Sequence, residues 1–112
     1  DSDQTLNRKT AIILTSDHGG RLQTRTHRPS FNRENYTIPF YVWGSGVHAG
    51  SELYELNSTK RGDPGNIRPA YSEPKQPIRN GDSANLALYL LGLGVVPKST
   101  INALQDLRVR LD

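Results

Sequence analysis

The sequence predicts an α/β fold that is incomplete within this chain. Three observations predict it. Two short apolar runs, residues 11–15 and 38–43, each empty into glycine-containing turns, and one capped segment, residues 82–91, has an apolar face that needs a sheet to lie on. At 112 residues the chain is the size of one small domain or less. Its hydrophobic share is 34%, and with 10 glycines and 7 prolines much of it is expected to be loop.

The first strand is read from Ala11-Ile12-Ile13-Leu14-Thr15, a continuous apolar run. It is followed by Ser16-Asp17-His18-Gly19-Gly20, a turn that glycine permits at the strand's C-terminal end. In open α/β sheets that edge is where ligand-binding loops gather. The second strand, residues 38–43, carries Pro39 near its start, where a missing N–H is tolerated, and Gly44-Ser45-Gly46 closes it. Neither strand alternates, so both are expected in a sheet interior. Residues 21–37 between them are polar, without period, and long for a plain connection, so they are either a functional loop or a mobile one, with function the preferred reading. Residues 51–77 are rich in Ser, Asn, Gly, Pro and charge and are expected to be irregular. In the helix, Asp82 is placed to cap the open N–H groups and Gly92 to end it in a left-handed conformation, with Leu93 making the apolar contact beyond. Leu86, Leu90 and Leu93 with Ala87 and Leu91 form its apolar face. Leu104, Leu107, Val109 and Leu111 leave a terminal helix and a terminal strand equally open.

Charge and composition exclude several classes. The 14 basic residues are scattered, with no run longer than the pairs Arg8-Lys9 and Lys60-Arg61, so a nucleic-acid surface is not expected. The longest apolar run, residues 86–93, is too short to span a bilayer. The chain has no cysteine, which removes disulfides and thiolate metal sites. Asn35-Tyr36-Thr37 and Asn57-Ser58-Thr59 match the glycosylation acceptor pattern, too common a triplet to place the protein outside a cell.

The residues able to bind metal or move protons concentrate after the first strand. Asp17 and His18 offer a carboxylate oxygen beside an imidazole nitrogen, a donor pair suited to zinc or a similar divalent ion. His27 can fold back over the loop and His48 follows the second strand, and either is a candidate third ligand. A purely structural account competes, because an aspartate in a post-strand turn commonly bonds its own backbone.

The run Thr15-Ser16-Asp17-His18-Gly19-Gly20 after an apolar strand resembles the Ser-Asp-His-Gly segment of the alkaline phosphatase superfamily. The order of the later segments is similar too: a histidine in a loop, a strand matched by residues 38–46, and an Asp-started helix ending in Leu-Leu-Gly-Leu, matched by residues 81–93. The resemblance spans about residues 11–102. It implies an α/β/α sandwich with a mostly parallel sheet, of which this chain is the C-terminal portion, and a periplasmic or extracellular setting. It implies that Asp17 and His18 bind one metal ion and His27 the other, which favours His27 over His48. The two divalent ions are expected to be zinc, with calcium, manganese or magnesium as alternatives, and the substrate a small anionic phosphate or sulfate ester. Arg21 and His48 are candidates for substrate contact, with Arg25 and Arg28 beside the same loop. The Asp-His pair points to the two-metal phosphatases and phosphodiesterases more than to the sulfatases.

The superfamily's serine or threonine nucleophile, its first metal-binding aspartate and its Asp-x-x-x-His pair have no counterpart here. The resemblance therefore implies a hydrolase portion that is inactive alone and works with the remaining N-terminal part of the same enzyme. A non-catalytic interaction domain derived from the same fold is the alternative.

Overall fold

A computed structural model describes residue 6 and residues 8–20 and 30–110. Strand β1, Ala11–Thr15, coincides with the expected run because five consecutive apolar or β-branched residues leave the chain no polar face to turn toward water. Strand β2, Phe40–Gly44, lies two residues later than its expected start. Pro39 stays outside it and instead accepts a hydrogen bond from Thr15 Oγ1 at 2.9 Å through its carbonyl.

The two strands pair antiparallel, with Ala11 opposite Gly44 and Thr15 opposite Phe40. Among the described residues they form the whole sheet, so the expected mostly parallel sandwich is not what this ribbon displays. Nor are the strands interior. Ile13, Phe40 and Val42 face the core, while Ile12 and Trp43, which are cross-strand partners, and Leu14 and Tyr41, also partners, lie exposed on the other face. The run is apolar on both faces, and only one face is covered here.

Among the described residues there are also three short helices: α1, Arg33–Tyr36, α2, Leu53–Leu56, and α3, Asp82–Leu90. Helix α2 falls inside the segment expected to be irregular. Glu52 caps it, its carboxylate accepting from the Glu55 N–H at 2.9 Å. Helix α3 ends as expected: Gly92 takes φ of +71°, the Leu93 N–H reaches the Leu88 carbonyl at 2.8 Å, and the Gly92 N–H reaches that of Tyr89 at 3.0 Å. Its start differs. Asp82 occupies the first helical position, and its carboxylate turns back to accept from the Arg79 N–H at 2.7 Å instead of capping the turn ahead. The apolar face is narrower than expected, because Leu91 and Leu93 are exposed.

Leu86 of α3 is buried with Leu107 and Val109 of the C-terminal tail, and Leu53 and Leu90 pack around them. Among its described residues, up to 110, the tail contains neither of the two elements left open for it. Buried asparagines hold it instead. Asn57 presents its amide to residue 108 as a strand would, accepting from the Arg108 N–H at 2.7 Å and donating to the Arg108 carbonyl at 2.8 Å. Asn85 does the same across the loop beyond α3, accepting from the Val96 N–H and donating to the Ile101 carbonyl, each at 2.8 Å. Among the described residues no helix is long and apolar enough to cross a membrane.

Candidate metal centre

The loop that leaves β1 is built by short bonds and one close approach. Past the last ladder pair, Ser16 Oγ donates to the His18 carbonyl at 2.6 Å, and the His18 N–H donates to Asp17 Oδ1 at 3.0 Å. The Gly19 N–H then donates to the Asn35 carbonyl at 2.9 Å, which docks the loop on the end of α1. A side chain at position 19 has no room, since a Cβ there meets the Glu34 carbonyl oxygen at 2.0 Å and that of Thr37 at 2.7 Å. Asn80 closes the loop from the other side, its Nδ2 donating to the carbonyls of Ser16 at 3.3 Å and Asp17 at 3.0 Å.

This scaffold leaves the two expected ligands outside and adjacent. The Asp17 side chain is 86% exposed and that of His18 47%. The His18 N–H holds the Asp17 carboxyl below the usual carboxylate range, so it is ionised at neutral pH. His18 Nδ1 lies 2.6 Å from the Gly19 carbonyl oxygen, which can only accept, so Nδ1 is the donor in that contact and Nε2 is the ring nitrogen turned toward Asp17. Metal-binding histidines commonly anchor their second ring nitrogen to a backbone carbonyl in this way.

His18 Nε2 and Asp17 Oδ2 stand 3.4 Å apart. Two donors of one tetrahedral zinc ion, with bonds of about 2.0–2.2 Å, sit roughly 3.3–3.5 Å apart. Octahedral magnesium, at about 2.1 Å, needs donors about 3.0 Å apart. The pair therefore fits two corners of a zinc site.

Of the other expected site residues, His27 and Arg21 lie outside the described residues, as do Arg25 and Arg28. Among the described residues no cluster of three or more His, Cys, Asp or Glu side chains converges to hold a metal. His48 is not brought to Asp17. It follows Gly44, which pairs with Ala11, while Asp17 follows Thr15 at the other end of the ribbon. There His48 Nδ1 bonds Ser51 Oγ at 2.5 Å and the His48 backbone N–H donates to the Val109 carbonyl at 2.8 Å, which are contacts of a loop anchor. The sequence reading missed Ser16 and Asn80. Ser16 belonged to the motif; Asn80 stood only as the lead-in to a helix.

Two open clefts lie elsewhere. One, of about 310 Å³, is lined by Lys9, Ile13, Leu90 and Arg110, and the other, of about 560 Å³, by Asn57, Lys60, Asp106 and Arg108. Neither is lined by Asp17 or His18, whose side chains project from the loop. Compared with protein-family models, curated proteins and solved structures, the chain matches none.

Proposed function

We propose that the chain is part of a metal-dependent hydrolase of phosphate or sulfate esters and that Asp17 and His18 supply two ligands of a zinc ion. The observation that carries this reading is that His18 Nδ1 lies 2.6 Å from the Gly19 carbonyl while its Nε2 stands 3.4 Å from an Asp17 carboxylate oxygen. A divalent ion held there would polarise the ester and neutralise charge on the transferring phosphoryl or sulfuryl group. Asp17 contributes the negative charge, His18 a neutral nitrogen, and the Gly19 carbonyl keeps the ring oriented. His27 is proposed as a ligand of a second ion, in line with the resemblance of the Thr15–Gly20 segment to the alkaline phosphatase superfamily.

The nucleophile and the other ligands are assigned to the remaining N-terminal part of the same enzyme. Support for such a partner comes from the ribbon. A two-stranded sheet is marginal by itself, and one with Ile12, Leu14, Tyr41 and Trp43 exposed on one face is half of a layered packing. An interaction domain derived from the same fold would use that face and leave Asp17 and His18 as a simple ion pair.

Zinc titration of the chain by calorimetry separates the two. The hydrolase reading expects saturable uptake that Asp17→Asn or His18→Gln abolishes or weakens by orders of magnitude. Absence of uptake by the unaltered chain would refute the metal assignment and leave the interaction domain.

A further inference from the structure

We infer that Asn80 is a positioning residue for the metal ligands, a role that rests on the zinc-site reading above. Ser16 and Asp17 lie beyond Thr15 and Phe40, the last pair of the ladder, so their carbonyls have no strand partner. The Asn80 carboxamide, 64 and 63 residues away in sequence, supplies the missing donor to both. One planar NH2 group thus fixes two successive peptide units, the second being that of the ligand Asp17 itself. Gly19, docked on Asn35, fixes the loop three residues beyond Ser16.

Asn80 is held firmly enough for this to matter. Its own carbonyl accepts from the Ser83 N–H at 3.1 Å and from Ser83 Oγ at 2.6 Å, and the Asp82 N–H reaches the Arg79 carbonyl at 3.0 Å. The turn is tied inward by the buried Asp82 carboxylate, which accepts from the Arg79 N–H at 2.7 Å and from Arg61 at 3.3 Å. Residues 79–83 therefore form a rigid corner at the start of α3, and Asn80 extends that rigidity to the backbone carrying the ligands. A ligand pair needs its donors held within about 0.5 Å of the productive geometry, and losing an outer-shell partner costs about 10–100-fold in metal affinity.

The test compares the unaltered chain with Asn80→Ala and Asn80→Asp. Aspartate keeps the shape but turns an acceptor toward two carbonyls. Three readouts are taken: the His18 tautomer from ring ¹⁵N chemical shifts in alkaline solution, where the imidazole is neutral, the exchange rate of the Gly19 amide, and zinc uptake. Far-UV circular dichroism and the urea midpoint serve as controls, since a merely structural role would move those. The expected result is a loss of the Nδ1–H preference, Gly19 exchange faster by about tenfold or more, and zinc binding weaker by about 10–100-fold in both variants, with the fold controls unchanged. Unaltered tautomer, exchange and zinc binding in the two variants would overturn the role of Asn80 while leaving the zinc site intact. If the unaltered chain takes up no zinc, the zinc-site reading and the ligand-positioning role fall together.

Discussion

Replacing Arg61 by methionine removes the cation at the centre of a buried cluster. Its guanidinium, on a side chain only 11% exposed, lies 3.3 Å from Asp82 Oδ1 and 3.1 Å from Asp106 Oδ1, and donates to Asn102 Oδ1 at 3.3 Å. Asp106 is partly solvated and keeps Lys60 at 3.8 Å, so most of the cost falls on Asp82, whose side chain is 2% exposed. Taking one partner from a buried ion pair costs about 3–5 kcal/mol, because the other charge is left without compensation. Protonation caps the loss: neutralising a carboxyl of ordinary value 3.8 at pH 7 costs about 4 kcal/mol, falling by about 1.4 kcal/mol for each pH unit.

The sign follows from the native chain. Burial already pushes the Asp82 carboxyl above its ordinary value, against the lowering effects of the Arg79 N–H and Arg61. The folded state thus holds the Asp82 proton more tightly than the unfolded state, and the contribution of this group is present below pH 3.8 and declines as pH rises through the native value. Arg61→Met extends that window upward. The expected loss is about 3–4 kcal/mol at pH 7 and about 1–2 kcal/mol at pH 5. In urea unfolding followed by circular dichroism, with a slope of about 1.5 kcal/mol per M, the midpoint falls by roughly 2 M at pH 7 and roughly 1 M at pH 5. Adding Asp82→Asn, which removes the orphaned charge and keeps an acceptor for the Arg79 N–H, restores most of the difference. Equal losses at the two pH values, or no recovery in the double variant, would show that lost packing and not charge burial is responsible.

Gly19→Ala drives a methyl group into two backbone carbonyl oxygens that cannot rotate away, so the loop must leave α1. A loss of about 1–3 kcal/mol in thermal unfolding is expected, together with weakened zinc uptake, and an unchanged titration would refute the docking of the loop. Asn57→Ala removes two hydrogen bonds, one to the N–H and one to the carbonyl of Arg108, at about 0.5–1.5 kcal/mol each. Limited trypsin digestion should then cut at Arg108 much faster than in the unaltered chain, and equal rates would show that Leu107 and Val109 hold the tail unaided.

What could be read from the sequence was what depends on neighbouring residues. Strand β1 and the left-handed glycine after α3 were legible because a continuous apolar run and a Leu-Gly-Leu ending act within a few residues of themselves. The direction of the β1–β2 pairing was not. It is set by how the connection returns, and nothing in either strand encodes it, so the placement of His48 at the far end of the ribbon was equally hidden. The expectation of interior strands came from apolar residues on both faces, and Ile12, Leu14, Tyr41 and Trp43 show that such a pattern reports what a strand is suited to contact, whether or not this chain supplies the contact. Asn57 read as a residue of an irregular segment for a similar reason, since asparagine in a turn and asparagine buried as a surrogate ladder partner have the same local sequence.

The proposed ligand pair obeys the same division. Asp17 and His18 were legible because they are adjacent, but what would suit them to a metal is the orientation of the ring and the carboxylate, and the backbone beneath them is set from a distance. Arg61 neutralises Asp82, Asp82 fixes the turn around residue 80, and Asn80 fixes the carbonyls of Ser16 and Asp17, so a contact between residues 61 and 82 reaches the loop after β1. Among the described residues only Leu86, Leu107 and Val109 are fully buried apolar side chains, a small cluster with which to hold that loop. Directional polar contacts define position more narrowly than a small apolar cluster, which can repack at little cost, and donors meant for one ion must be held to fractions of an ångström. The buried charge of Asp82 is accordingly best explained by position: it is where the start of α3 is fixed, and the ligand loop takes its geometry from there.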